Sequence, residues 1–306
     1  FDYYVSASLF QQDGFRDHAK QDTQRLFANL GYQLTPQLET RFYLGRVNSN
    51  SELPGSITKA MLEDDPRQAN PGNVTLDQRR DIDWTRVSNK TVYREGQHQL
   101  EFFAYVSDKK LHHPIFQVID QDNLDYGAEL RYLHEGEIAG RRNRLTLGIA
   151  PSRGTTDESR YVNVAGDSGN LTNKNKQTAT SLELYAEDQF YVLPQWALVA
   201  GVQHVDTSRK LDDLYVAGTP ADPVSESFDR DYNGTNPKLG LRYDYAPQIQ
   251  FFANVSRSFE APSFSELTGG SERVLNLPGA QRGNTFGLGS RGRTGTVEWV
   301  GLVYQA

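Results

Sequence analysis

The chain contains no cysteine, which excludes a disulfide framework and a thiolate metal site and leaves the redox compartment open. Long hydrophobic runs are missing too. The longest nearly unbroken one, Trp196 to Val202, falls far short of the roughly 20 apolar residues that a membrane-spanning helix needs. Cations are in deficit: 32 Lys and Arg against 39 Asp and Glu give a formal net charge of -7 and a pI near 5.4. With no clustered basic face to meet a phosphate backbone, nucleic acid is excluded as a partner. There is no nucleophile elbow, no phosphate-cradling glycine loop and no pair of histidines at metal-ligand spacing on one element. The carboxylates are scattered, so no catalytic residue, cofactor or metal site is assigned, and the chain is not read as an enzyme. Phe1 opens inside an alternating pattern instead of a charged and then apolar leader, so no signal peptide is expected here.

What is present is alternation. Hydrophobic residues make up 37% and mean hydropathy is -0.64, low for a helical membrane protein. A membrane barrel tolerates this, because only every second side chain faces lipid. In Gln97 to Ser107, Leu100, Phe102, Ala104 and Val106 share one face, against Gln99, Glu101, Phe103 and Tyr105. In Thr178 to Val192, Leu182, Leu184, Ala186, Phe190 and Val192 oppose Ser181, Glu183, Tyr185, Glu187, Gln189 and Tyr191, with Asp188 as the one intruder on the apolar side. In Ile249 to Phe259, Ile249, Phe251, Ala253, Val255 and Phe259 oppose Gln250, Asn254, Ser256 and Ser258. Runs of about ten residues match a tilted membrane strand.

Continued along the chain, the pattern gives about thirteen strands whose connections alternate between tight and long. Tight turns are expected at Thr35-Pro36, Glu95-Gly96, Glu137 to Arg141, Pro194-Gln195, Ala246-Pro247 and Arg291 to Thr294. Long polar loops are expected over Gln11 to Gln21, Asn50 to Thr75, Asp108 to Asn123, Arg153 to Asn175, Arg209 to Asp231 and Ala261 to Gln281. Outer-membrane barrels have short periplasmic turns and long extracellular loops, so the alternation also assigns sidedness. Tyr32, Tyr191, Trp196, Tyr243 and Tyr245 lie beside the short turns, where an interfacial girdle belongs. A helix is expected over Ser56 to Glu63 after the Pro54-Gly55 turn, capped by Ser56, with Leu62 to Asp65 as its polar end. The expected fold is all-β, a partial transmembrane antiparallel up-and-down barrel forming one domain, residues 1–306.

Four stretches resemble TonB-dependent outer-membrane receptors of the ferric-siderophore or ferric-dicitrate type. They are Asp13-Gly14-Phe15-Arg16; Leu53-Pro54-Gly55 through Asp65-Pro66-Arg67-Gln68-Ala69; Ser256-Arg257-Ser258-Phe259-Glu260-Ala261-Pro262-Ser263-Phe264-Ser265-Glu266-Leu267; and Gln281 to Gly292 with Val297 to Tyr304. The third also reads physically: Pro262 ends a strand, because proline lacks the donor that a ladder requires. The resemblance implies a plugged barrel of about 22 strands, of which this chain supplies the wall without the plug or the last strands. It also implies a bacterial outer-membrane location and import of a ferric siderophore or other small anionic ligand. The implied partners are membrane lipid and lipopolysaccharide on the outside, and TonB through the N-terminal plug region.

Anionic chelates call for cations and hydrogen-bonding side chains on the extracellular loops. The candidates are Arg16 and His18 in the first loop, Arg67 in the second, Lys109, Lys110, His112 and His113 in the third, and Arg160 and Tyr161 in the fourth. Adjacent residues of an extended chain point opposite ways, so His112-His113 does not form a metal pair. Competing readings are uptake of another small molecule such as a redox cofactor or copper chelate, a passive porin or structural barrel, and a soluble β-rich carbohydrate-binding protein.

Overall fold

The computed structural model describes residues 1–215, 217–219, 222–268 and 278–305. Its strands are β1 (Asp2–Gln12), β2 (Gln21–Gln33), β3 (Leu38–Glu52), β4 (Arg79–Glu95), β5 (His98–Pro114), β6 (Gln117–Ile138), β7 (Arg141–Val164), β8 (Asp167–Leu193), β9 (Trp196–Asp213), the short β10 (Ala217–Thr219) and β11 (Asp222–Val224), β12 (Phe228–Ala246), β13 (Ile249–Glu260), β14 (Gln281–Thr294) and β15 (Val297–Gln305). Thirteen of them form one antiparallel sheet in sequence order, and β10 and β11 pair separately as a hairpin. Three short helices, α1 (Lys59–Asp64), α2 (Pro71–Thr75) and α3 (Phe264–Leu267), sit in the long connections. None is long and apolar enough to cross a membrane.

Cross-strand partners share a face, so the register shows whether the alternation is coherent. Leu100 meets Tyr132 and Phe102 meets Leu130; Leu130 meets Ile149; Ile149 meets Leu184; Ala186 meets Val202; and Leu198 meets Leu241. The result is a continuous apolar band on one side of the sheet. Its members are open to their surroundings, Leu100 at 41% and Phe102 at 44%. The only cluster of buried apolar side chains among the described residues is Leu211, Phe228 and Leu267. Among the described residues no second sheet packs on the band, which rules out a soluble sandwich, whose apolar faces meet in a dry core. Hydrocarbon is the solvent that such a surface needs.

The other face is polar and internally paired. Lys90 Nζ lies 3.3 Å from Glu101 Oε1, and Arg131 Nε donates to Glu101 Oε2 at 2.8 Å. Tyr185 donates to Glu129, Gln203 Nε2 donates to Glu183 Oε2 at 2.9 Å, and Lys238 pairs with Glu187. This is the lumen side. At the short-turn ends, Trp196 stacks on Tyr243 with centroids 4.4 Å apart, and Tyr245 meets Phe251 edge-on at 6.3 Å, forming part of the expected outer girdle. Asp188 does lie on the outer face, opposite Leu145, where it accepts a hydrogen bond from Asn143 Nδ2.

The structure corrects several expectations. The stretches 108–123 and 153–175 are not loops: β5 and β6 join through Ile115-Phe116, and β7 and β8 through Ala165-Gly166. Strands β6, β7 and β8 reach 22, 24 and 27 residues, more than twice the roughly ten needed to cross, so they stand far above the membrane. There both faces are wet, and polar residues on both sides hide the period-two signal. Long connections survive between β1 and β2, β3 and β4, β9 and β12, and β13 and β14; positions 216, 220, 221 and 269–277 of the last two lie outside the described residues. The final tight turn falls at Gly295-Thr296, with Gly295 at φ 59°, instead of within 291–294. Helix α1 starts later than expected and is capped by Thr58, whose side chain accepts from Met61 N, instead of by Ser56. Tyr191 is not in the girdle. Its odd position on β8 turns it into the lumen, where Arg142 lies 3.7 Å from the ring centroid and its hydroxyl meets Asp244 at 3.3 Å.

Candidate functional site

The early-loop candidates hold the outer rim together. Arg16 donates from Nε to Gln68 O at 3.1 Å, from Nη1 to Gly55 O at 2.7 Å and from Nη2 to Pro54 O at 3.2 Å. Asp17 N donates to Arg67 O at 2.7 Å, and Arg67 lies 5.7 Å from the Phe15 ring centroid. The stretches 13–16 and 53–69 are therefore two halves of one contact. His18, at φ 52°, donates from Nε2 to Gln78 O at 2.8 Å and closes the far end of the same loop.

The remaining candidates lie on strands and divide between the faces. Lys109 and His113 share the lumen face, and His113 Nδ1 donates to Arg79 O at 2.8 Å. Lys110 and His112 face outward above the membrane. Lys110 stands opposite Asp83 and Asp122, while His112 Nδ1 donates to Asp120 Oδ1 at 2.6 Å. As expected of an extended chain, the two histidines point to opposite sides. Arg160 faces the lumen, its Nε 2.8 Å from Glu158 Oε1, and Tyr161 pairs with Val118 on the outer side. The nine residues do not form one site. Asn163 ties three connections together instead, donating to Leu76 O at 2.9 Å and Ile115 O at 2.7 Å and accepting from Gly166 N at 2.8 Å.

A different group of residues, not singled out from the sequence, does converge. Below the rim, the wall of β4 to β9 holds a cavity of about 480 Å³ lined by Arg86, Tyr105, Ser107, Asp125, Ser152, Ser181 and Arg209, with Arg153, Gly154, Ala179 and Thr180 completing the lining, within the range of small-molecule sites. Strand register aims the first seven of these inward. Arg86 lies 4.6 Å from the Tyr105 ring centroid, a cation–π contact that occupies the guanidinium face and leaves its edge free. Ser107 Oγ is fixed by Trp84 Nε1 at 2.9 Å. Arg209 Nη1 donates to Thr207 Oγ1 at 2.6 Å and Ser208 O at 2.9 Å, and its Nε to Pro262 O at 3.3 Å.

That last bond explains the 256–267 stretch. Pro262 ends β13, and Ser263 starts α3 with a capping box, its Oγ accepting from Glu266 N while Glu266 Oε2 accepts from Ser263 N at 2.7 Å. These bonds hold the Glu266 carboxyl below the usual range. Leu267, fully buried, then seats on Leu211 and Phe228, and Phe264 packs on Phe228 at 6.2 Å. The helix thereby roofs the lumen wall and lines a second cavity of about 270 Å³ with Gln121, Glu158, Arg160 and Asn175. A third hollow of about 440 Å³, bordered by Leu100, Leu130, Leu147, Ile149, Leu184 and Val202, is on the outer face and suits acyl chains, not a polar cargo. The signal that would have found the lumen cavity was position parity: Arg86, Tyr105, Ser107 and Arg209 all fall on the non-lipid face of alternating strands.

A family model described as TonB dependent receptor-like, beta-barrel, matches residues 2–302. Among solved structures, the ferric citrate transporter FecA in its unliganded form superposes with a TM-score of 0.84 at 16% identity, covering 99% of this chain and 45% of that one. The ferric-catecholate import receptor Fiu from K12 E. coli gives 0.75 at 13%, covering 99% and 53%. The copper transporter OprC gives 0.73 at 11%, covering 99% and 48%. The chain spans about half the length of these structures, and at such identities the likeness concerns the fold.

Proposed function

The chain belongs to the TonB-dependent receptor family as its outer-membrane β-barrel, and we propose that it forms a wall of an energised importer whose cargo is an iron chelate, a ferric siderophore or a citrate-like complex. The observation that carries this reading is the lumen-wall cavity, whose lining includes Arg86, Arg209 and several hydroxyls. A passive water-filled pore has no need of such a pocket. Iron chelates are named by FecA and Fiu and a copper cargo by OprC, so the metal is decided by transport. TonB is proposed to supply the energy through a plug region, and lipid and lipopolysaccharide to cover the outer face. No bond of the cargo is made or broken, and the side chains bind and orient it.

The test is uptake of radiolabelled iron, presented as ferric citrate and as a ferric catecholate, by cells with and without the gene, each with and without TonB. The proposal expects gene- and TonB-dependent uptake of one of them. Unchanged iron uptake together with a loss of copper uptake would replace iron as the cargo, and uptake that ignores TonB would turn the reading towards a porin.

A further inference from the structure

Three side chains expected on cargo loops, Lys110, His112 and Tyr161, instead line one hollow of about 700 Å³ on the outer face, together with Asp122, Ser159 and Lys174. The register places it directly above the hydrocarbon. Val106 meets Tyr126 and Asp108 meets Leu124 at the top of the apolar band, and the next outward rungs are Lys110 opposite Asp122 and His112 opposite Asp120. On the neighbouring strands those rungs continue as Asp157 and Ser159, then as Lys176 and Lys174. Each rung is two residues, or roughly 5 Å of height at the tilt of a barrel strand. Counted from Val106, Lys110 stands about 10 Å above the band; counted from Leu182, Lys174 stands about 20 Å above it.

Most charges around the hollow are paired. Arg46 takes Asp83, Arg79 takes Asp77 and Asp81, His112 Nδ1 lies 2.6 Å from Asp120 Oδ1, and Lys176 lies 3.7 Å from Asp157. Lys110 and Lys174 make no ion pair or side-chain hydrogen bond among the described residues, although Asp83 and Asp122 flank Lys110 in the register. Asp122 is uncommitted as well. Two ammonium groups, a carboxylate and the Ser159 hydroxyl are thus left as a mixture of donors and acceptors, which suits sugar hydroxyls with phosphate on the lysines. Among the described residues no three His, Asp or Glu side chains are placed to hold a metal ion. The lysines are three inter-strand steps apart, about 14 Å, too wide for one small anion and matched to linked sugars charged at separate points. Height selects the lipid. A phospholipid headgroup layer is about 5–8 Å deep and ends well below Lys174, whereas a headgroup continued upward by sugars reaches both lysines.

We infer that this hollow seats the phosphorylated saccharide of lipopolysaccharide, with Lys110 and Lys174 each taking a phosphate and Asp122 and Ser159 taking hydroxyls between them. The site deepens the proposed cover of the outer face by lipopolysaccharide and rests on that reading. It does not depend on which cargo is imported.

The experiment measures binding of fluorescent lipopolysaccharide to the full-length protein in phosphatidylcholine nanodiscs. Phosphatidylglycerol and the phosphorylated oligosaccharide freed of its acyl chains serve as comparison probes, each with and without EDTA. The proteins are the unsubstituted chain, Lys110→Gln, Lys174→Gln, both together, Lys110→Arg, and Lys109→Gln on the opposite face of the same strand. Each outer glutamine variant is expected to weaken lipopolysaccharide binding about three- to tenfold, and the double variant more than either. Lys110→Arg should retain most of the binding, because the charge stays, and Lys109→Gln should change nothing. Normal binding by the double variant overturns the site and leaves the general lipid cover standing. No binding by the unsubstituted protein overturns both. An equal loss in Lys109→Gln would mark unspecific surface charge, and a loss on EDTA that ignores the lysines would mark cation bridges; either overturns the assignment. Free oligosaccharide bound as tightly as the lipid would give the hollow to a soluble glycan, and lysine-dependent phosphatidylglycerol binding would give it to phospholipid, each against the inference.

Discussion

Two regions of the outer half use arginine in opposite ways. At the rim over β1 to β4, Arg16 is consumed by the chain itself, its three nitrogens satisfying the carbonyls of Pro54, Gly55 and Gln68. In the lumen over β4 to β9, Arg86 rests on a ring and Arg209 stops one nitrogen short of saturation. A loop cannot leave its carbonyls unpaired when another loop covers them, so the rim takes all the donors that Arg16 has. A strand wall has already satisfied its backbone, and its arginines are available for something else. The same residue type is fully committed where covering loops leave carbonyls to pair and keeps a donor free where the strands have paired their own.

The largest way to break this contrast is to unseat the roof. Leu267→Ala empties a fully buried site against Leu211 and Phe228 and should cost about 2–5 kcal/mol of local stability. Hydrogen exchange over 261–268 would show that segment opening while the rim stays protected, and simultaneous loss of protection at both would contradict their independence. Arg16→Ala should cost about 2–3 kcal/mol by leaving covered carbonyls unpaired. It should open 53–78 to proteolysis without changing hydrogen exchange over 261–268, and a loss of protection there would join the two regions. Ser263→Ala removes the cap of α3 at about 1 kcal/mol, visible as faster exchange in that helix alone.

The smallest effect is one of pH. Because the folded Glu266 carboxyl titrates below its unfolded value through the Ser263 bonds, its contribution is present above the ordinary carboxylate range and fades as pH falls through the folded value. Exchange of α3 should therefore rise only in acid, and Glu266→Gln should remove that dependence. A rise towards neutral pH would have the wrong sign.

Inside the membrane the fold was legible, because water on one side and hydrocarbon on the other force alternation: Leu100, Phe102, Ala104 and Val106 against their neighbours. Above it the sequence is ambiguous. Asp108, Lys109 and Lys110 suit both a loop and a strand wetted on both faces, which is why β5 to β8 extend well past their expected ends. The Ile115-Phe116 turn carries no glycine to announce it, whereas Ala165-Gly166, with φ of 51° and 93°, at least holds one. The loop arginines and histidines were easy to list because polar loops draw attention. Arg86 is an ordinary polar position of a strand and Arg209 opens a stretch expected to be a loop, and only the cross-strand register puts both on the lumen face.

Since the protein has no cysteine, its two faces can be read one residue at a time. Single cysteines placed along β5, at positions 99 to 106, would each carry an environment-sensitive fluorophore in vesicles containing lipid with brominated acyl chains. Strong quenching at Leu100, Phe102, Ala104 and Val106, with little at Gln99, Glu101, Phe103 and Tyr105, is the predicted result. Equal quenching on both sets, or none on either, would contradict a wall with hydrocarbon on one side and water on the other.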